Sequence, residues 1–276
     1  MDSISLNERY DIERRFHNEW ARTLNLNDIL VRESFEAVTA PENRAVMRRF
    51  GDLKGKRVLD LGCGAGEASV YFALKGADVY AVDLSEEMLK RTSELAKNHG
   101  VHVQTFAGPS EQLVFDDGFF DCIYGSSILH HADLHLTIKE TGRVLKDTGR
   151  AIFIEPLSYN PVINFYRKIA EDVRTPTETS FNFRDFAFLK TYFGKVDYEF
   201  FWLTTLNIFL FMYFIERVNP TKDRYWKRII REHQRYERMY KTLDSIDEKL
   251  LKFFPLLKYL CWTTMIVLTE KKIEGF

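Results

Sequence analysis

The chain has 276 residues, 45% apolar and 14% aromatic, enough for one substantial core with a modest appendage. Its 39 Lys and Arg are offset by 40 Asp and Glu, so it lacks the overall positive excess of a nucleic-acid partner, although a local basic patch is compatible with that balance. The three cysteines, Cys63, Cys122 and Cys261, form no CxxC pair, which argues against a disulfide framework or a zinc site and fits a cytoplasmic, reducing compartment.

The first residues, MDSISLNERYDIERRF, hold no apolar core of the signal-peptide kind. The longest apolar stretch, Phe200 to Ile215, is interrupted by Thr204, Thr205 and Asn207 and is shorter than the roughly 18 residues that nominate a spanning helix. The expectation is a soluble protein, for which membrane contact is possible but not predicted. From Arg9 to Phe50 the pattern is helical: Phe16 and Trp20 share a face, and Pro41 is placed to open a helix. At GKRVLDLGCGAG the period changes to a short apolar strand, a glycine turn, the helix ASVYFALK and the strand ADVYAVDL, a βαβ unit. There follow a helix over Glu86 to Asn98, strands VHVQTF and FFDCIYG, a helix from Leu134 to Leu145 and the strand RAIFIEP.

This alternation predicts an α/β Rossmann-like fold, a doubly wound, mostly parallel seven-stranded sheet, with KVDYEFFWLTTL and CWTTMIVLTEK as its last strands. Residues 1–50 read as an N-terminal helical cap, 51–200 as the core, and 201–276 as a helical insertion and last strand completing the same domain. Within the insertion, Arg224 to Lys241 places Trp226, Ile229, Ile230, Tyr236 and Tyr240 on one helical face among basic residues.

After the first strand the chain runs Asp60-Leu61-Gly62-Cys63-Gly64-Ala65-Gly66-Glu67, a turn that brings backbone close to a ligand. A dinucleotide fingerprint needs glycine where Glu67 stands, and Asp60 would repel a pyrophosphate. These acids suit a cationic ligand without phosphate, and S-adenosylmethionine (SAM), with its ammonium and sulfonium, is one: Asp60 favours the amino-acid end through a charge-assisted hydrogen bond of about 1.5–3 kcal/mol. Asp83, at the end of the second strand, is placed to accept both ribose hydroxyls, with Leu84 and Met88 flanking the adenine.

Through VLDLGCGAG and AVDLSEEML the chain resembles class I SAM-dependent methyltransferases, and is similar to those of ubiquinone and menaquinone biosynthesis. The resemblance spans about residues 50 to 157. It implies that Gly108, Ser110, Glu111 and Gln112 of GPSEQLVF lie beside the adenine, and that S-adenosyl-L-homocysteine is the product. Pro109 departs from the family's pattern, because it stands where an acid usually accepts from the adenine amino group.

The acceptor belongs at the carboxyl edge of the sheet. Strand four ends in Tyr124-Gly125-Ser126-Ser127, with Ser126 beside the cofactor, and runs on into His130 and His131; strand five ends at Glu155. A hydroxyl acceptor must lose its proton, which a histidine can take near neutral pH, whereas a carboxylate needs no base. On a helix the two histidines would point about a hundred degrees apart, so one of them, with a slight preference for His130, would face the acceptor. Glu155 would orient the acceptor or a histidine. No third ligand accompanies these residues, so no metal is expected.

His17 suggests a lid, and Tyr166, Arg167, Arg174, Phe181 and Phe183 an acceptor pocket, by topology alone. Aromatic richness from Tyr192 to Tyr259 fits either a hydrophobic acceptor or an enlarged core. The expected function is methyl transfer to a small molecule, at oxygen (hydroxyl or carboxylate) ahead of nitrogen or carbon. A noncatalytic SAM-binding scaffold is the alternative from another class. YGSSILHH lacks the Asn/Asp-Pro-Pro-aromatic and Pro-Cys boxes of nucleic-acid methyltransferases, so no nucleic-acid partner is expected.

Overall fold

A computed structural model describes residues 5–169, 181–220 and 223–272. Strand β1 (Arg57–Leu61) is buried over its last four residues, as befits a strand covered on both faces. It pairs in parallel with β2 (Asp78–Asp83) and β4 (Phe120–Ser126). Strands β3 (Gln104–Ala107) and β5 (Leu145–Pro156) extend the parallel part, and β6 (Phe193–Phe201) and β7 (Thr263–Lys271) complete a seven-stranded sheet of order β3-β2-β1-β4-β5-β7-β6 among the described residues. Strand β7 runs antiparallel to both neighbours, with Glu155 opposite Thr264 and Glu199 opposite Met265. The fold expectation is met, and the last strand belongs to the same sheet.

The strand order reverses between β1 and β4, where an open α/β sheet leaves a crevice beyond its carboxyl ends. Register pins that crevice, because Leu61 lies opposite Gly125. Alternate side chains feed the two faces: Val58, Val70, Phe72 and Ile152 pack on one side, Leu59, Leu61, Ile123 and Phe153 on the other.

The helices preceding the sheet are α1 (Leu6–Thr23), the short α2 (Glu33–Glu36) and α3 (Pro41–Phe50), which Pro41 opens as expected. Helix α4 (Glu67–Leu74) follows the glycine loop. Helix α5 (Glu86–Asn98) starts where Ser85 accepts the Met88 N–H, and α6 (Leu134–Val144) where Asp133 accepts the Leu136 N–H. Beyond β5 come α7 (Pro161–Ile169), α8 (Phe183–Tyr192), α9 (Asn207–Phe214), α10 (Tyr225–Arg231) and α11 (His233–Phe253).

Two expectations change. The stretch KVDYEFFWLTTL leaves the sheet at Phe201, because buried Asp247 accepts the backbone N–H of Leu203, Thr204 and Thr205 and both threonine hydroxyls, drawing the chain toward α9. Arg224 to Lys241 is not one helix. The chain breaks at Glu232 (φ −103°, ψ 32°), sending Tyr236 and Tyr240 into a satellite core with Trp202, Phe209 and Tyr225, while Trp226 and Ile230 turn to the main cavity. Most of the aromatic excess is therefore an enlarged core.

Candidate active site

The loop joining β1 to α4 needs its glycines. Gly62, Gly64 and Gly66 take φ of +70°, +53° and +86°. A Cβ on Gly62 would lie 2.8 Å from Ile128 Cδ1, and one on Gly66 2.6 Å from Thr92 Cγ2 and 2.9 Å from Thr92 Cα. The loop is thus pressed between α5 and the turn after β4. Asp83 closes it from the end of β2, accepting the Gly64 N–H through Oδ2 at 2.9 Å and the Ser85 N–H through Oδ1 at 2.8 Å.

The electrostatics of this loop are acidic. Asp60 is buried, accepts the Ser69 hydroxyl at 2.5 Å, and is pushed by that burial, with neighbouring Asp83, up to about 7. Burial also raises Asp83, opposed by its two backbone N–H donors and by His17, and carries the Cys63 thiol well above its usual range. Two desolvated carboxylates on a loop whose Gly62, Cys63, Gly64 and Gly66 N–H groups already donate within the protein disfavour a pyrophosphate and favour a ligand with positive charge.

Gly108, Ser110, Glu111, Leu84 and Met88 line the same cavity. Gly108 donates its N–H to the Asp83 carbonyl at 3.0 Å. The Glu111 carboxylate is committed to the frame: Oε2 accepts the Ser110 hydroxyl at 3.0 Å and Oε1 the Asp133 N–H at 2.9 Å. Gln112 is exposed and lies off the cavity wall, contrary to what the resemblance implied, because the turn after Ser110 points it outward.

Strand β4 ends with Ser126 on the cavity and Ser127 at φ +56°, a conformation disfavoured for a side-chain-bearing residue, held by its N–H donating to the Ile154 carbonyl at 2.8 Å. Glu155 is fully buried. Its Oε1 accepts the N–H groups of Ile128 (3.0 Å) and Leu129 (2.8 Å), and its Oε2 lies 2.6 Å from His130 Nδ1. Glu155 stands behind the wall rather than on it, fixing the turn and the imidazole together.

His130 and His131 both line the cavity. They sit in a turn before α6 rather than on a helix, since Asp133 starts that helix only at Leu134, and their ring centres are 4.2 Å apart. The helical argument that separated their directions does not apply. His131 Nδ1 lies 3.2 Å from Oε1 of Glu13, a buried acid on α1 whose Oε2 is 3.5 Å from His17 Nε2.

His17, which the sequence suggested for a lid, lines this cavity of about 580 Å³ from α1, whereas the rest of the roof and the far wall were not found from the sequence. The Arg224 guanidinium stands 4.6 Å from the centre of the Trp20 ring and 5.5 Å from that of Trp226, so α10 is latched to α1 across the opening. Glu42 faces the cavity, its Oε1 accepting the Trp202 indole N–H and the Thr263 hydroxyl. Burial raises Glu42 and Glu67, with Lys227 opposing the shift at Glu67. A charged residue on an otherwise apolar helical face, such as Glu13, was the available signal. Phe181 is buried in the core beside Phe186 and is not a cavity residue. The side chains of Tyr166, Arg167 and Phe183, and Arg174 altogether, lie outside the described residues.

A family model described as a methyltransferase domain matches residues 59–153. The chain is similar to the ubiquinone biosynthesis O-methyltransferase of Bordetella parapertussis, 36% identical over 117 residues that cover 42% of this chain and 48% of that protein. It is likewise similar to the sarcosine/dimethylglycine N-methyltransferase of Halorhodospira halochloris, 36% identical over 104 residues covering 36% and 37%. The chain thus spans about half or less of the length of these curated relatives. A solved structure from Thermotoga maritima, a SAM-dependent methyltransferase described as a possible histamine N-methyltransferase, shares the fold with a TM-score of 0.55 at 19% identity, over 95% of this chain and 100% of that one.

Proposed function

Since the chain carries a class I SAM-dependent methyltransferase domain, we propose that it is an enzyme that binds SAM at the glycine loop and transfers its methyl group to a small-molecule acceptor in the adjoining half of the cavity. The observation that carries this reading is one continuous cavity joining the desolvated acids Asp60 and Asp83 to the histidine turn. Those acids fit SAM, which is cationic and carries no phosphate. Asp60, Gly62, Cys63 and Gly64 would hold its amino-acid end, Asp83 its ribose, and Leu84, Met88, Gly108 and Ser110 its base, with Glu111 bracing that wall and Ser126 beside the amino-acid end. Gly66 contributes by its close approach to α5.

SAM supplies an activated methyl group, so the protein's own task is to align the acceptor and exclude water. Trp20, Trp226 and Arg224 roof the cavity and serve the second purpose. For an oxygen acceptor, His130 would take the hydroxyl proton, with Glu155 holding Nδ1 and stabilising the imidazolium that forms. His131, tied to Glu13, would assist from the same turn.

A nitrogen acceptor is the second reading, favoured by Glu42 and Glu67 on the far wall, since desolvated carboxylates attract an ammonium group. Incubation with methyl-labelled SAM and parallel panels of phenols, carboxylic acids and amines separates the two. Label on hydroxyl oxygen, lost on His130→Ala, supports the first reading; label confined to amines overturns it in favour of the second.

A further inference from the structure

Residues 249–260 read KLLKFFPLLKYL, three lysines and no acid, and form the end of α11 with the 3-10 turn Pro255–Leu260. Their apolar side chains are not withdrawn from water: Phe253 is 71% exposed, Phe254 61% and Leu256 74%, with Tyr259 and Leu260 also exposed. Large apolar groups clustered this way on a surface mark something that covers them.

We propose that this segment docks on the surface of an anionic phospholipid bilayer. The charge pattern selects that occupant. Among the described residues Lys249 and Lys252 form no ion pair, whereas Lys75, Lys90, Lys146 and Lys241 each meet a carboxylate. The Lys258 ammonium lies 5.5 Å from the centre of the Tyr259 ring and 6.0 Å from that of Phe200. Lysines interleaved with aromatic and leucyl side chains suit the headgroup boundary, where the rings enter the acyl region and the ammonium groups meet phosphates. A second copy of the chain fits worse, because two identical basic patches would face each other. Binding is peripheral, since no helix of the described residues is long and apolar enough to cross a membrane.

The patch adjoins the acceptor side of the cavity. The Leu260 carbonyl accepts from Asn160 Nδ2 at the start of α7, whose Ile163 lines the cavity while Phe165 and neighbouring Tyr159 are exposed. Trp262, just after Leu260 and Cys261, is also on the cavity wall. A docked molecule would present that wall next to the bilayer. The proposal rests on the surface alone and is independent of the methyl-transfer reading.

Vesicle co-sedimentation tests it, using phosphatidylcholine vesicles with and without roughly one-third phosphatidylglycerol. The intact chain is expected to partition onto the anionic vesicles at least about tenfold more strongly than onto the neutral ones. A Phe253→Ser/Phe254→Ser/Leu256→Ser variant and a Lys249→Gln/Lys252→Gln variant should each lose at least about tenfold, with thermal unfolding unchanged because every replaced group is exposed. No partition onto anionic vesicles, or partition that neither variant reduces, overturns the proposal. Concentration-dependent dimerisation abolished by the first variant, without vesicle binding, assigns the face to a second copy instead.

Discussion

His130 Nδ1 and Glu155 Oε2 are 2.6 Å apart, and the other oxygen of the same buried carboxylate accepts two consecutive backbone N–H groups of the turn that carries the histidine. One carboxylate therefore sets both where the imidazole stands and how it is turned. Glu155→Gln keeps an acceptor for the backbone but offers His130 an amide instead of a carboxylate. For a hydroxyl acceptor, turnover is expected to fall by about 10²- to 10⁴-fold, with a displaced pH–rate profile, while SAM affinity stays within about threefold. His130→Ala should lower turnover similarly with SAM binding intact. A loss of SAM binding in either variant would place the pair in the cofactor site instead.

Asp83 links β2, the glycine loop and the proposed ribose site. Asp83→Ala removes acceptors from the Gly64 and Ser85 N–H groups as well as the ribose contacts, and SAM binding should weaken at least about tenfold. Calorimetric titration of the variant checks this, and unaltered affinity would show that the ribose is held elsewhere.

Gly66→Ala tests the close approach of loop and helix. The added Cβ meets Thr92 at 2.6 Å, and the position is left-handed at φ +86°, so overpacking and backbone strain combine to an expected loss of about 2–4 kcal/mol. Because one contact is the Thr92 Cα, trimming the Thr92 side chain should recover only part of the loss in denaturant unfolding.

Asp60 gives a pH dependence with a defined sign. Its carboxyl stands near 7 in the folded chain against about 3.9 when unfolded, so the native state holds the proton more tightly. The group's contribution to stability is complete below about pH 4 and is lost as pH rises toward 7. A cationic ligand selects the ionised form, so SAM affinity should rise with pH by up to about tenfold per unit below 7, with proton release on binding. In Asp60→Asn that rise should flatten, and an unchanged rise would assign it to another group.

The central α/β unit was legible because several local signals agree there. The glycine turn, Asp83 at a strand end, Ser85 as a helix cap and the period change at Arg57 are each set by residues near in sequence. The far wall was not legible. Glu42 meets Trp202 and Thr263 through hydrogen bonds between residues 160 and 221 positions apart, and neighbouring residue types give no hint of that. The break at Glu232 escaped notice because an apolar stripe at helical spacing runs through it. His130 and His131 were found from their place at the sheet edge, whereas the turn that brings their rings together depends on Glu155 and Asp133.

Calorimetric titration of the intact chain with SAM, S-adenosyl-L-homocysteine and NADH is the most direct measurement of the central claim. Micromolar binding of the first two with no heat from NADH is the predicted result; silence toward SAM, or clear binding of NADH, would contradict the assignment of the acidic glycine loop to a sulfonium nucleoside.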